Sequence, residues 1–482
     1  MAPMSRRWSL KQNNKSFSHS YFSDDTIAAL ATPAGGVIGI IRISGPAAHE
    51  TLIKLTKKSL PKDQKKMILA DLFNKNGKKI DRAMIVYFKG PSSFTGEDVT
   101  EIQFHGGSYI ANSLMETLLD IGIRQALPGE FSFRAVRNGK MTLLQAQAVA
   151  DLLSAPNDNA VSLALSKLSR KQQVILESIA EELKQLSIIT EANIDFSDQS
   201  IDEFSLSSIK TKLDHLIRIL ETLYAGYERG RRIQEGISVA LIGLPNAGKS
   251  SFFNSLLGED RSIISEMPGT TRDVVSEFFT INTDKQTITI HLHDTAGLRV
   301  KTNKAERHGV ERAITAASEA DLLILVVDAS KSSARYLAST LEQWDALGKP
   351  VNKTIGILSK CDLIKGSLSS VTAKVRVFFN INTWVATSAL TGDGISDAIY
   401  KIADFCGRWL PNSNDELLLT RPEQENAVRV SLEHLYRART IHEFDLFASD
   451  IRQARYALGP LIGDLLPDEI LEAIFSQFCI GK

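Results

Sequence analysis

The stretch Gly243-Leu-Pro-Asn246-Ala247-Gly248-Lys249-Ser250 sets two glycines, a lysine and a hydroxyl at the spacing GxxxxGK[ST]. In such a loop the backbone N–H groups and the N-terminus of a following helix point at phosphate oxygens, the Lys adds charge, and the Ser hydroxyl offers a ligand for Mg²⁺. The flanking context fits. Ile237 to Ile242 reads as a buried strand leading in, and Ser251 to Leu257 as an amphipathic helix leading out. A Gly-rich turn without ligand is the plainer reading, and the strand–loop–helix order argues against it.

Four further elements follow in order. Gly269-Thr270-Thr271-Arg272-Asp273 offers a switch Thr for Mg²⁺. The strand-like run Ile288 to His293 ends in Asp294-Thr295-Ala296-Gly297, a DxxG element whose Asp suits water-mediated Mg²⁺ and whose Gly N–H suits a γ-phosphate. Thr354 to Leu358 ends in Ser359-Lys360-Cys361-Asp362; the Asp362 carboxylate matches the two N–H donors of guanine, which adenine lacks. Val385 leads into Ser388-Ala389-Leu390, a base-backing loop. Alone, DxxG or SxA is near noise. Five elements in this order at strand ends point to a guanine nucleotide. The contact set expected for GTP is therefore Asn246, Ala247, Gly248, Lys249, Ser250 and Ser251; Ser265, Glu266, Met267, Pro268, Gly269, Thr270 and Thr271; Asp294, Thr295, Ala296 and Gly297; Ser359, Lys360, Cys361 and Asp362; and Ser388, Ala389 and Leu390.

Leu298 follows the DxxG element where Ras-like GTPases place a water-orienting Gln, so hydrolysis must be organised otherwise. Asn246 has two readings. It is a turn residue, or its amide oxygen helps hold a monovalent cation beside the phosphates, with Ser265 to Thr270 opposite.

These motifs need a chain that positions them. At 482 residues the length suggests about three domains. Hydrophobic residues make up 43%, enough for packed cores, and Leu322 to Val327 reads as one more core strand. Lys and Arg balance Asp and Glu, which argues against a generally basic nucleic-acid coat while leaving room for a local basic patch. Cys361, Cys406 and Cys479 show no CxxC spacing, which implies a reducing compartment and no structural zinc. No apolar run approaches the roughly 18 residues of a membrane span, so no membrane role is expected. Arg6, Arg7, Lys11 and Lys15 occur before any acidic residue; this stretch reads as a flexible tail, with a mitochondrial presequence as the alternative.

Residues 24 to about 140 read as α/β or α+β. Val37 to Ile43, Ala83 to Phe88 and Val99 to His105 are expected strands. In the last, Ile102 and Phe104 face one way and Glu101, Gln103 and His105 the other. That polar face, with Arg42 nearby, is either a solvated sheet face or a pocket for an anionic heterocycle. From Leu143 to about Arg232, and again from Val428, apolar residues keep helical spacing; Pro467-Asp468 reads as a helix start. Cys479 is either a buried core residue or a reactive thiol.

The motifs above stand beside Gly39-Ile-Ile-Arg42-Ile-Ser-Gly45, Phe94-Thr-Gly-Glu-Asp98, His105-Gly-Gly107, Pro128-Gly-Glu-Phe131, Arg134-Ala-Val-Arg-Asn-Gly-Lys140, Ile194-Asp-Phe196 and the terminal Phe478-Cys479-Ile-Gly-Lys482. Together they resemble the MnmE/TrmE family of tRNA-modifying GTPases, GTPBP-type in mitochondria, over nearly everything after about residue 24.

The resemblance implies a multidomain chain: an α/β P-loop GTPase domain inserted in an all-α helical domain, preceded by an α+β folate-binding-like N-terminal domain. The expected segments are a tail at 1–23, a folate-binding and dimerisation domain at 24–142, helical parts at 143–233 and 404–482, and the GTPase at 234–403. It implies Mg²⁺ on Ser250 and Thr271, and K⁺ on Asn246, Ser265, Met267 and Thr270 between the GTPase domains of a homodimer. It implies a catalytic set of Lys249 and the water-ordering Glu306, with Cys479 as a candidate. A 5,10-methylene- or 5-formyl-tetrahydrofolate would sit on Arg42, Glu101, Lys140 and Lys482. Ignoring the family, Glu306 reads as a solvated helix-start acid near Arg307.

The implied activity is GTP hydrolysis coupled to adding a (carboxymethyl)aminomethyl-type group at carbon 5 of the tRNA wobble uridine. An FAD-dependent MnmG/GidA-type protein would be the partner, in a heterotetramer. The expected location is the bacterial cytoplasm, or the mitochondrial matrix if the tail is a presequence. A ribosome-assembly or signalling GTPase and a GTP-switched scaffold are the alternatives. Ser359 stands where the family has Asn, keeping one hydroxyl but losing the amide that braces the phosphate loop and base; Ser265 replaces a Thr, and Pro268 stiffens its segment.

Overall fold

The computed structural model describes residues 21–58, 66–195, 203–258, 276–283, 287–293, 318–331, 333–346, 348, 350–364, 366–410, 417–441, 443–462, 468–476 and 478–481. It divides into two compact units, Met1–Ala146 with Leu465–Lys482, and Gln147–Asp464.

The first unit is built on a six-stranded sheet. Its strands are β1 (Ile27–Leu30), β2 (Ile38–Ser44), β3 (Ile68–Phe73), β4 (Lys79–Phe88), β5 (Val99–His105) and β6 (Arg124–Gln125), in the order β3-β4-β5-β2-β1-β6. Pairings are antiparallel except β1 with β6. Helices α1 (Ala48–Thr56) and α2 (Ser108–Asp120) cover one face. The period-2 pattern decides which face. Ile41, Ile43, Ile102 and Phe104 turn inward onto Leu52, Leu55, Leu114 and Leu118. Gly39 lies opposite Phe104, and a Cβ there would meet the ring at 2.3 Å, so the ring lies across the bare backbone.

Helix α3 (Glu130–Arg137) starts at Gly129, which is left-handed (φ 64°). A Cβ on Gly129 would lie 2.7 Å from the Phe475 carbonyl, and the Gly129 N–H donates to the Cys479 carbonyl at 3.1 Å. Phe133 meets Phe475 edge-on at 5.6 Å, and Phe475 meets Phe478 at 5.1 Å. These contacts group the C-terminal segment with the N-terminal sheet.

The second unit holds α5 (Asp158–Leu168), α6 (Arg170–Asp195) and α7 (Glu203–Glu235), after α4 (Leu143–Leu153), within which the division between units falls. Next comes a second sheet: β7 (Ile237–Ile242), β8 (Ser276–Asn282), β9 (Thr287–His293), β10 (Leu322–Asp328), β11 (Thr354–Ser359) and β12 (Trp384–Ala386), ordered β12-β11-β10-β7-β9-β8. All pairings are parallel except β8 with β9. Helices α8 (Lys249–Leu257) and α11 (Ile395–Gly407) pack on one face, α9 (Ala334–Ala346) and α10 (Leu368–Phe379) on the other. Burial on both faces explains why β10 is apolar along its run. Helix α11 continues past residue 403 because Cys406 extends its stripe into the same core, so the expected boundary at 403 falls inside a helix.

Helices α12 (Pro422–Thr440) and α13 (Phe444–Ile462) then return to pack on α7 and α6, so the second sheet is an insertion between helical segments that pack together. Gly230 of α7 permits that return: a Cβ there would come within 2.0 Å of the Leu419 carbonyl. At the opposite end of the sheet from the phosphate loop, Asp321 accepts hydrogen bonds from Arg231 (2.7 Å), Arg232 (2.9 Å) and the Ser238 N–H (3.0 Å), fixing α7 to the start of β7 and β10. Buried Lys167 pairs with Asp151 at 3.2 Å and also donates to Thr420, while Arg421 reaches Asp151 at 2.7 Å; chain before and after the insertion is thereby joined. Helix α14 (Asp468–Phe475), in the first unit, begins where Pro467-Asp468 predicts.

Candidate phosphate-binding edge and N-terminal polar face

Because β7, β10, β11 and β12 run parallel, their carboxyl ends share one edge; β7 ends beside Gly243, β11 ends at Ser359, and β12 ends two residues before Ser388. After β7 the chain turns through Gly243 (φ 142°), where a Cβ would sit 2.3 Å from the Val326 carbonyl. Asn246 (φ 63°) and Gly248 (φ 95°) are left-handed, and α8 starts at Lys249. Asn246, Ser250 and Ser251 are exposed and Ala247 is buried. Asn visits this left-handed region more readily than most residues. The Lys249 ammonium donates to the carbonyls of Gly243 (2.6 Å) and Leu244 (3.0 Å), which holds it under the loop.

The Ser359 hydroxyl lies 2.5 Å from the Ala247 carbonyl and 3.2 Å from that of Val327. Ser359 therefore braces the phosphate loop through the one hydroxyl it keeps; the short side chain reaches because Gly248 leaves room, a Cβ there lying 3.2 Å from the Ser359 hydroxyl. Lys360 is left-handed (φ 55°) and donates from Nζ to the Asn246 carbonyl at 2.8 Å and to the Asp328 carboxylate at 2.8 Å. Burial of Asp328 opposes its charge, but hydrogen bonds from Lys360 and Ser330 outweigh that and hold the carboxyl below its usual range. Asp328 escaped the motif reading; its signal was an Asp closing the apolar run of β10, beside Ser359 of β11.

Beyond them the Cys361 N–H donates to the Thr387 carbonyl (3.1 Å), and the Thr387 N–H to that of Leu358 (2.7 Å). The Ser388 hydroxyl accepts from the Thr391 N–H at 3.2 Å. Ser388 is buried, while Asp362, Ala389 and Leu390 are exposed and Cys361 is half-buried. The edge thus carries a carboxylate and an open apolar tip where a base would lie. Ser265 to Thr271, Asp294 to Gly297, Glu306 and Lys482 lie outside the described residues.

In the first unit, strand register sets Arg42 against Glu101. The guanidinium donates from Nε (3.0 Å) and Nη2 (2.8 Å) to one Glu101 oxygen, and lies 5.3 Å from the Phe94 ring centre and 5.8 Å from that of Phe131. The two expected ligand residues are thus each other's partners under an aromatic roof. Lys140 donates to the Pro91 carbonyl at 2.9 Å, and its stem lies against Gly96 in the loop that carries Phe94. Cys479 is exposed, so the core reading fails for its thiol.

Other motif residues are structural. Buried Arg134 donates to Asp25, Glu97 and Glu130 at 3.0, 3.0 and 2.9 Å, and Arg124 also bridges Asp25 and Glu130. Ser44 ties Glu97 to β2 at 2.7 Å. Burial of Asp25 raises its carboxyl, but hydrogen bonds from Arg124 dominate and bring it to about 2.

The family pattern described as MnmE helical domain matches residues 143–479, and that of the GTP-binding protein TrmE N-terminus matches residues 26–140. A tRNA modification GTPase MnmE from Dichelobacter nodosus is 37% identical over 469 residues, covering 95% of this chain and 100% of that protein. Its counterpart from a Psychrobacter species is 38% identical, covering 95% and 99%. That of Neisseria meningitidis is 37% identical over 462 residues, covering 95% and 99%. A match across more than half of the chain, with full-length relatives at this identity, makes this chain a member of the MnmE family of tRNA modification GTPases.

Proposed function

We propose that this chain is a K⁺-activated, Mg²⁺-dependent GTPase that acts as a homodimer on tRNA. With an FAD-dependent MnmG/GidA-type partner in a heterotetramer, it adds a (carboxymethyl)aminomethyl-type group to carbon 5 of the wobble uridine. The observation that carries the reading is the braced edge where Ser359 and Lys360 grip the loop from Asn246 to Lys249, with Asp362 open beside it.

In this reading the N–H groups of residues 246–251 cradle the phosphates, and Lys249 turns from the Gly243 and Leu244 carbonyls to phosphate oxygen. Ser250, exposed at the start of α8, pairs with Thr271 to hold Mg²⁺; the Asn246 side chain, with Ser265, Met267 and Thr270, holds K⁺. Bound cations supply charge to the phosphoryl oxygens. Asp362 selects guanine, and Glu306 orders the attacking water. Arg42 and Glu101 present a donor and an acceptor suited to a pterin, and Lys140 and Lys482 suit the carboxylates of a tetrahydrofolate. Cys479 is a thiol open to solvent beside that unit's C-terminus.

Mass spectrometry of wobble nucleosides tests the proposal. A deletion strain complemented with this chain regains the modified uridine, and one complemented with Lys249→Ala does not. Unmodified uridine with the intact chain, at normal expression and beside its flavoprotein partner, contradicts the reading.

A further inference from the structure

Residues 54–82 hold ten Lys and Arg against three Asp, in a chain whose formal charge is zero. The described part of this segment is the last turn of α1, β3, the hairpin turn and β4. Lys57 caps α1 in the left-handed region (φ 54°), and its ammonium lies 5.3 Å from the centre of the Phe73 ring. A Cβ on Gly77 in the hairpin turn would lie 2.9 Å from that ammonium, so the helix end and the turn meet at one corner.

Half of the described cations are uncommitted; Lys54 pairs with Glu50 at 2.9 Å within α1. Lys79 reaches Asp71 at 2.7 Å, Lys75 reaches Asp120 at 2.7 Å, and Arg82 stands 3.9 Å from Asp71. Lys57, Lys58, Lys66 and Lys78 are exposed and make no ion pair among the described residues. The helices of the second unit differ: Arg429, Arg437, Arg439 and Arg452 each face a carboxylate. Lysines often guard edge strands, and β3 is an edge. Yet Ile68–Phe73 itself contains no Lys; the cations gather at the corner beyond it.

The corner also adjoins the polar face. His105 closes β5 and is held to Asp81, the residue before Arg82, through its N–H (2.9 Å) and its Nδ1 (2.8 Å). Along the same face of β5, Glu101 lies four residues back, roughly 13 Å away. We propose that the corner formed by Lys57, Lys58, Lys78 and Lys79 docks the phosphate backbone of the tRNA whose base is worked on at the Arg42–Glu101 face. The inference rests on the tRNA reading above. Flexible point charges without bidentate partners suit sequence-independent phosphate contact and release counterions on binding.

The test measures binding of a transcribed tRNA with uridine at the wobble position, across a salt series, to the full chain and to a Lys57→Glu, Lys58→Glu, Lys78→Glu variant. Expected are a Kd raised about 10-fold or more and a log–log salt slope flattened by about 3, with GTP turnover and thermal melting unchanged. A fold defect alone moves melting rather than the salt slope. The single-site Lys78→Glu variant, at a hairpin turn, gives a smaller change in the same direction. Equal tRNA binding by wild type and variant overturns the docking surface and leaves the tRNA reading standing. Loss of affinity for the flavoprotein with unchanged tRNA binding overturns it in favour of a protein partner. Wild type that binds no tRNA at any salt overturns both readings together.

Discussion

The nucleotide edge and the N-terminal polar face solve the same problem, placing charge beside a ligand, in opposite ways. The edge works with backbone. Its loop is contiguous in sequence, its shape is set by left-handed Asn246 and Gly248, and parallel strands deliver every other contributor to one side. The polar face works with side chains from distant segments of an antiparallel sheet. Arg42, Phe94, Glu101 and Phe131 meet there only because register and α3 bring them together. Where backbone carries the chemistry, spacing reveals it. Where side chains carry it, a motif alone does not separate a ligand residue from a strut.

The largest expected effect is at the edge. Asp362→Ala removes the acceptor of two N–H groups. It should cost GTP about 3 kcal/mol or more, roughly 100-fold in Kd, with no gain for ATP. Calorimetry with both nucleotides checks it, and an unchanged preference for guanine would break the assignment of the edge. The matching change in the other region is Arg134→Met. It removes the buried cation shared by Asp25, Glu97 and Glu130, and should destabilise the first unit by about 3–5 kcal/mol in urea unfolding while GTP affinity holds. Full stability with lost activity would make Arg134 a ligand residue rather than a strut.

A smaller loss is expected from Ser359→Ala, which leaves the buried Ala247 carbonyl without its hydroxyl donor. About 1–3 kcal/mol should be lost, read as a weaker GTP Kd. No change would show that Lys360 alone holds the loop.

The smallest effects depend on pH. Asp25 has its native carboxyl lowered to about 2, so its contribution is present above the unfolded value near 4 and is lost as pH falls toward 2; Asp25→Asn should flatten that acid limb. Lys167 gives a rise of the same sign in the alkaline range. Burial, opposed by Asp151, pushes its ammonium down to about 8. Between pH 8 and about 10.5 the unfolded chain binds the extra proton, so stability rises with pH through that window. Lys167→Met should remove the rise in unfolding midpoint measured from pH 8 to 10.

Much of this was legible in the chain. The phosphate loop, the strand ends and the alternation of Ile102 and Phe104 against Glu101 and Gln103 follow from spacing and period, because local geometry fixes them. The roles of Glu97, Glu130 and Arg134 were not legible. Charged residues in a Gly-bearing motif look like a site until α3 proves to be packed on all sides. Asp328 was hidden because an Asp at the end of an apolar run has no partner until β10 and β11 fall into register. The family motif implied that the C-terminus reaches the first unit, but not the contacts that hold it there, Phe475 and Phe478 packing at Phe133 and Gly129. The basic corner was masked by a net charge of zero.

Titration calorimetry with GDP and ADP on the intact chain in Mg²⁺ and K⁺ addresses the edge most directly. The braced loop with Asp362 beside it requires saturable heat with GDP at one site per chain and none with ADP. Heat with ADP and silence with GDP would contradict it.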